Sequence, residues 1–139
     1  MKPTSKHFTM KIPTRKTLVK KLEKRCDELW AEVVKKRDHW KCRYCNRGKS
    51  DGVVLNAHHI EKRGNKSTRW ETPNGITLCT GHHSFWAHDP RGNSQYQHWL
   101  VGEVGQKHLD YLRKEASRIQ FVTYEWLQDV EQQLNKENA

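Results

Sequence analysis

Hydrophobic positions between residues 15 and 38 repeat every three or four residues, which is the spacing of an amphipathic helix. They form one apolar stripe that consists of Leu18, Leu22, Cys26, Leu29 and Val33. The helix is predicted to begin near Thr14 or Thr17 and to end near Asp38. A free cysteine on such a stripe behaves as a small hydrophobic residue, so Cys26 is predicted to be a core thiol and not a metal ligand.

The middle of the chain has the pattern of short strands joined by loops. Residues 53–60 are rich in β-branched and apolar residues and are predicted to form a strand. A polar loop with glycine and proline follows over 61–75, and residues 76–78 form a short extended segment. A short helix is predicted from Cys79 to about Ala87.

The C-terminal part of the chain returns to a helical pattern. Helices are predicted over 95–101 and 106–117. Thr123 has a hydroxyl suited to cap a last helix, which is predicted to run to about Leu134. The sequence shows no internal repeat and no low-complexity segment.

The length and composition indicate one domain with an extension. The chain has 139 residues and is only 34% hydrophobic, so its core is small and a bound metal would help to stabilise it. Residues 1–14 are basic, contain two prolines and lack periodicity, which predicts a flexible basic arm. Residues 15–139 are predicted to form a single α+β domain, with a core at 38–92 between flanking helices at 15–38 and 95–136.

The charge of the chain indicates a polyanionic partner. The formal net charge is +10, and it is concentrated in two segments. Residues 1–25 carry nine Lys or Arg and one Glu, and residues 41–69 carry eight Lys or Arg and two acids. Clustered positive charge is typical of phosphate binding, so DNA is the expected partner. No apolar run approaches the length of a membrane-spanning helix, and a cytoplasmic location is expected.

Two pairs of metal-ligand residues form an outer pattern, Cys42-x-x-Cys45 and Cys79-x-x-His82. Zinc is bound tetrahedrally by cysteine and histidine, and ligands two residues apart can reach the same ion. The pattern predicts a structural zinc site. Only the spacing favours His82 over the adjacent His83 as its fourth ligand.

A second group of histidines lies inside the first pattern. His58 and His59 end the predicted strand, where neighbouring side chains point to opposite faces. The two side chains are therefore expected to have different roles, with one bound to a metal and the other acting near it as a base. His83, on the short helix that faces the strand, would complete the metal site.

These residues resemble the motifs of the HNH nucleases, over about residues 38–92. The resemblance is carried by Ala57-His58-His59-Ile60, Arg69-Trp70, Asn74-Gly75-Ile76-Thr77-Leu78-Cys79 and His82-His83. It implies a ββα-metal finger, in which a β-hairpin and a helix hold one divalent metal, here next to a zinc knuckle. A long helix before a Cys-x-x-Cys also resembles phage HNH proteins, including recombination nucleases of the NinG type.

The resemblance implies a role for each of the matching residues. His59 corresponds to the general base, and Asn74 to the residue that braces the loop and so orients the base. His58 and His83 correspond to metal ligands, although many family members have Asp at the position of His58. Histidine ligands favour Mn, Ni, Co or Zn over Mg.

The last metal ligand departs from the family pattern. Some HNH nucleases have a further histidine four residues after the one that matches His83. That position is Ala87 here, and His88 follows it. Either a local shift brings His88 to the metal or water takes its place. The basic residues that follow the base are candidates to hold DNA phosphates: Lys62, Arg63, Lys66 and Arg69.

The expected function is that of a divalent-metal-dependent DNA endonuclease or nickase, which leaves 5′-phosphate and 3′-hydroxyl ends. Two alternatives remain: a zinc-finger-like module that binds nucleic acid without cutting it, and a structural adaptor in a phage packaging complex. Phage packaging or recombination proteins are the expected partners, in a phage-infected or lysogenic bacterial cell. Whether a monomer nicks one strand or a dimer cuts both is left open.

Overall fold

The computed structural model describes residues 11–139, so the predicted arm over 1–14 lies mostly outside the described residues. The described chain consists of helices and one antiparallel two-stranded sheet, which confirms the α+β class. The elements are α1 (Arg15–Arg37), β1 (Leu55–His59), β2 (Gly75–Cys79), α2 (Thr80–His82), α3 (Asn93–Val104), α4 (Gln106–Ala116) and α5 (Tyr124–Asn138). None of these helices is long and apolar enough to cross a membrane.

Helices α1 and α5 pack against each other and form the larger part of the core. Both begin where the sequence predicts, because the hydroxyls of Thr14 and Thr123 accept hydrogen bonds from backbone N–H groups in the first turn. The buried residues between the helices include Leu22, Cys26, Trp30, Val34, Leu127 and Leu134. Cys26 is completely buried, which confirms its predicted place in the core.

The β-hairpin packs between α1 and a second apolar cluster formed with α3. In its antiparallel register Leu55 pairs with Cys79 and His59 pairs with Gly75. The strand predicted over 53–60 is shorter than expected and covers only Leu55–His59. Val54 lies outside it, because its side chain is exposed and its carbonyl accepts a hydrogen bond from the N–H of Thr80 at the start of α2. The second strand is longer than predicted by one residue at each end.

Gly75 allows β2 to lie directly on α1. A Cβ atom at this position would sit 2.5 Å from Cγ2 of Val34 and 2.7 Å from Cζ2 of Trp30. Both neighbours are buried in the core, so neither can move aside freely. The absence of a side chain at Gly75 therefore fixes how closely the sheet approaches the helix.

Asp38, directly after α1, ties the end of that helix to both the sheet and the cysteine knuckle. Its carboxylate accepts hydrogen bonds from the guanidinium groups of Arg37 and Arg43 and, at 2.9 Å, from the backbone N–H of Thr77. Burial tends to raise the pKa of Asp38, but these hydrogen bonds and the positive charge of Arg37 hold it below its usual value. Asp38 is therefore ionised in the folded protein, and its negative charge stabilises the contacts that it makes.

Gly75→Ala should destabilise the protein by about 1–3 kcal/mol, because an added methyl group overpacks the contact with α1. Gly102→Ala is the matched control, since a Cβ on this α3 glycine would meet nothing within 4 Å. It should be neutral or slightly stabilising. Urea unfolding measures both, and equal stability of the two variants would contradict the close contact at Gly75.

Asp38→Asn should destabilise the protein by about 1.5–3 kcal/mol near neutral pH, because it removes the charge that three donors share. A carboxylate with a depressed pKa stabilises the fold above the unfolded-state value of about 4, and this contribution is lost as the pH falls through the folded-state pKa. The difference in unfolding free energy between wild type and Asp38→Asn should therefore shrink below about pH 4. Asp129→Asn, at an exposed position on α5, is the control; a difference that stays constant with pH would refute the role of Asp38.

Candidate active site and metal centres

The outer pattern forms a compact cluster of three sulfurs and one nitrogen. Cys45 Sγ lies 3.9 Å from Cys79 Sγ, and His82 Nδ1 lies 3.7 Å from Cys42 Sγ and 3.1 Å from Cys79 Sγ. A tetrahedral zinc ion with Zn–S bonds of about 2.3 Å separates its sulfurs by about 3.8 Å. These four residues therefore lie close enough to hold a metal ion, and their geometry fits zinc.

The backbone around Cys42 and Cys45 holds these ligands in position. The N–H of Cys42 donates to the carbonyl of Arg47, and the N–H of Asn46 donates to the carbonyl of Cys42, both at 2.8 Å. Asn46 is in the left-handed region with φ of 60°, which closes the turn. The next pair of ligands begins where β2 ends at Cys79, and the N–H of Arg43 donates to the carbonyl of Thr77 at 2.9 Å, so β2 connects both halves of the cluster.

Cys45 is favoured in the thiolate form that binds metals. Burial alone would raise its pKa, but hydrogen bonds from the side chain and backbone of Arg47 and from neighbouring cysteines lower it to about 7. The Nε–H of Arg47 donates to Cys45 Sγ at 3.4 Å. The thiolate, and not the thiol, is the form of cysteine that binds a metal ion.

The inner pattern forms a cluster of three histidines, His58, His83 and His88, in which one ligand atom from each ring lies within 4.8 Å of the others. The Nε2 atoms of His83 and His88 are 3.0 Å apart, and the buried Nδ1 of His58 has no hydrogen-bond partner within the described chain. Ligand nitrogens about 2.1 Å from one ion lie about 3.0–3.4 Å from each other. These three histidines therefore lie close enough together to hold a metal ion.

The environment of His58 keeps its imidazole neutral. Burial, followed by the proximity of His83, His88 and His59, lowers its pKa to about 3. A neutral imidazole has the lone pair that metal coordination needs. The buried Nδ1 of His58 would otherwise be costly, because it gives up its hydrogen bond to water without replacement.

A π-helical turn over His83–Ala87 brings His88 into this cluster. In an α-helix a residue five positions later lies about 140° around the axis, which would point His88 away from His83. The π turn instead closes with a hydrogen bond from the His88 N–H to the His83 carbonyl at 3.2 Å, and it absorbs the extra residue. This local shift places His88 beside His83 and His58, as the first of the two alternatives requires.

His59 lies on the other side of β1 and is held in one orientation. Its ring stacks on Trp30 of α1, with centroids 4.0 Å apart and planes inclined by 9°. Its Nε2 lies 3.0 Å from the carbonyl oxygen of Arg69. A carbonyl only accepts, so Nε2 carries the proton and Nδ1 of the neutral ring is left with a lone pair. Burial lowers the pKa of His59, although the Arg69 carbonyl and Asp27 oppose this shift.

Asn74 connects the strand end to the loop that holds His59. Its side chain is fully buried, and its Oδ1 accepts from the N–H of Glu61 at 2.7 Å. Its Nδ2 donates to the carbonyls of Glu61 and Thr68. Since Thr68 precedes Arg69, these bonds fix the segment whose carbonyl orients His59.

One cavity of about 700 Å³ is lined by both His59 and the three-histidine cluster. Its other lining residues include Asp27, Trp30 and Ala31 of α1 and Tyr96 of α3. Sequence reasoning did not select Trp30 or Tyr96, because an aromatic residue on an apolar helix face has the same pattern whether or not it supports a site. The Tyr96 ring lies edge-on to that of His58, and its buried hydroxyl has no partner among residues 11–139.

Three of the four predicted phosphate ligands form ion pairs with α1. Arg69 has a buried side chain and donates to both carboxylate oxygens of Asp27, so its guanidinium is already paired within the fold. Arg63 also pairs with Asp27, and Lys66 pairs with Glu23 at 2.8 Å. Lys62 is exposed at the cavity and is in none of the ion pairs of the described residues.

Comparison of the chain with family models, curated proteins and solved structures found no match. The resemblance to HNH nucleases therefore depends on the quoted residues alone and stays a prediction.

Cys42→Ser should remove one equivalent of bound zinc and unfold the knuckle, because structural zinc binding is coupled to folding. His83→Ala should keep that equivalent and its secondary structure. Elemental analysis and circular dichroism measure both properties. Cys26→Ala controls for loss of a thiol and should retain the zinc; equal loss of fold in Cys42→Ser and His83→Ala would show that the ligands are divided differently.

Proposed function

We propose that this chain is a divalent-metal-dependent DNA endonuclease of HNH type that carries a structural zinc. The observation that carries the proposal is the shared cavity, in which a three-histidine cluster with metal-binding geometry lies beside an oriented histidine outside the cluster. A module that only binds DNA has no need for this combination.

The two groups would supply complementary chemistry to a phosphodiester in the cavity. His58, His83 and His88 would hold a divalent metal, which when bound would supply polarisation of the phosphodiester and stabilisation of the negative charge on the leaving oxygen. His59 accepts a proton from the attacking water at Nδ1. The stack on Trp30 and the bond to the Arg69 carbonyl hold the ring, so its orientation is set before the substrate arrives.

The products follow from the bond that breaks. The water oxygen adds to phosphorus, and the bond from phosphorus to the 3′ oxygen breaks. The water oxygen remains on the 5′-phosphate, one of its protons passes to His59, and the leaving oxygen gains a proton to become a 3′-hydroxyl. This hydrolysis needs no oxidant, reductant or organic cofactor.

In the proposal, the zinc cluster (Cys42, Cys45, Cys79 and His82) has a structural role, because it would position the catalytic ligands. It connects the segment before β1 to the end of β2 and to α2, and α2 leads directly into the turn that carries His83. Adjacent residues, His82 and His83, would therefore bind different metals. The structural zinc would thus hold the turn that carries His83 in a fixed position relative to the sheet that carries His58.

Purified protein supplied with Mn²⁺ or Ni²⁺ should nick or linearise supercoiled plasmid DNA, and His59→Ala should reduce the rate by about 100-fold or more. His98→Ala is the matched control, because His98 is exposed on α3 and does not line the cavity. It should cleave at the wild-type rate.

Gel electrophoresis of the plasmid forms measures the rate, and labelled product ends identify the bond that is cut. DNA binding without cleavage under every divalent metal would overturn the proposal and favour the non-catalytic binding module. Wild-type activity of His59→Ala would leave the metal centre in place but remove His59 as the base.

A further inference from the structure

Three exposed lysines on α1 lie in line with two residues of the catalytic cavity. Lys16, Lys20 and Lys24 precede Asp27 and Ala31 on α1 at successive spacings of three or four residues. Residues at this spacing share one face of a helix. Asp27 and Ala31 line the cavity, so the lysine stripe (Lys16, Lys20 and Lys24) leads from the exposed start of α1 to its rim.

The charges on this face are unequally compensated. Two of its acids are neutralised from the loop before β2, because Asp27 pairs with Arg63 and Arg69 and Glu23 pairs with Lys66. A third acid, Glu28, lies four residues after Lys24 and is in none of the ion pairs of the described residues. The lysine stripe takes part in none of the ion pairs among residues 11–139. The segment before it offers no counter-charge, since residues 1–10 contain no Asp or Glu.

Such a stripe does not stabilise the isolated helix. Like charges four residues apart repel each other and reduce helix stability. On the α5 side of the same helix, by contrast, Arg15 and Arg25 are paired with Glu125 and Glu131. Other lysines of α1 (Lys21, Lys35 and Lys36) are also in none of the ion pairs in the described part of the chain. The lysine stripe differs from them because it leads from the exposed start of the helix to residues that line the cavity, which favours an external polyanion as its partner.

We propose that the lysine stripe binds the sugar-phosphate backbone of duplex DNA and guides one strand into the cavity. The proposal rests on the proposed function, because it takes the cavity as the place of cleavage. From Lys16 to Lys24 the helix rises about 12 Å, which matches about three to four base pairs at a rise of about 3.4 Å each along the duplex axis. Contacts between lysines and phosphates do not read the bases. The stripe would therefore contribute affinity and orient the DNA towards the cavity, but it would not provide sequence specificity.

The test compares two triple variants with the same change in charge. Lys16→Gln, Lys20→Gln and Lys24→Gln together remove the stripe. Lys107→Gln, Lys114→Gln and Lys136→Gln together remove three exposed lysines of α4 and α5 that do not line the cavity. Both sets are made in full-length His59→Ala protein, so that cleavage does not consume the probe. Fluorescence anisotropy of a short labelled DNA duplex gives Kd between about 50 and 200 mM salt.

The stripe variant should lower the slope of log Kd against log salt by about one unit for each lysine, or about three in total. The control variant should keep the slope of its parent. Equal shifts in both variants, an unchanged slope in the stripe variant, or no binding by the parent at low salt would each overturn the proposal. Circular dichroism confirms that both variants are folded.

The outcome is separable from that of the proposed function, because binding is measured without cleavage. If the slope shifts but the wild-type protein cuts no DNA, the stripe is a DNA contact on a non-catalytic protein. If the wild-type protein cuts DNA but the slope is unchanged, the nuclease proposal stands and the stripe does not guide the substrate.

Discussion

The alternation of side chains along β1 is the constraint on which the rest of the site depends. His58 and His59 are neighbours, so the pleat of the strand sends them to opposite faces. His58 meets His83 and His88 on one side, and His59 stacks on Trp30 on the other. Both histidines nevertheless line one cavity, and the proposed function gives them different roles there, with His58 as metal ligand and His59 as base.

The surrounding structure keeps that strand in place from three directions. Gly75 allows β2 to lie against α1, which brings Trp30 under His59. Asp38 ties α1 to β2 and, through Arg43, to the cysteine knuckle. The cysteine cluster then connects the knuckle to the end of β2. Since the apolar core is small, a structural metal at this junction is expected to contribute a large share of the stability.

Much of the fold was predictable from sequence because it depends on local patterns. The periodicity around Cys26 predicts α1, and Thr123 predicts the start of α5. The grouping of Cys42, Cys45, Cys79 and His82 follows from spacing alone. Other features depend on tertiary contacts that spacing does not record. The sequence does not distinguish Arg69 from an exposed cation, because its ion pair with Asp27 joins residues that are far apart in the chain. The π turn that brings His88 close to His83 has no distinctive residue pattern either.

The central claim is that adjacent residues, His82 and His83, belong to two different metal centres that meet where α2 passes into the π-helical turn. A crystal structure of the protein soaked with Ni²⁺, with anomalous data collected at the zinc and nickel edges, tests this most directly. The account predicts zinc on Cys42, Cys45, Cys79 and His82, and nickel on His58, His83 and His88, with His59 unbound. A single ion shared by His82 and His83, or nickel coordinated by His59, would contradict it.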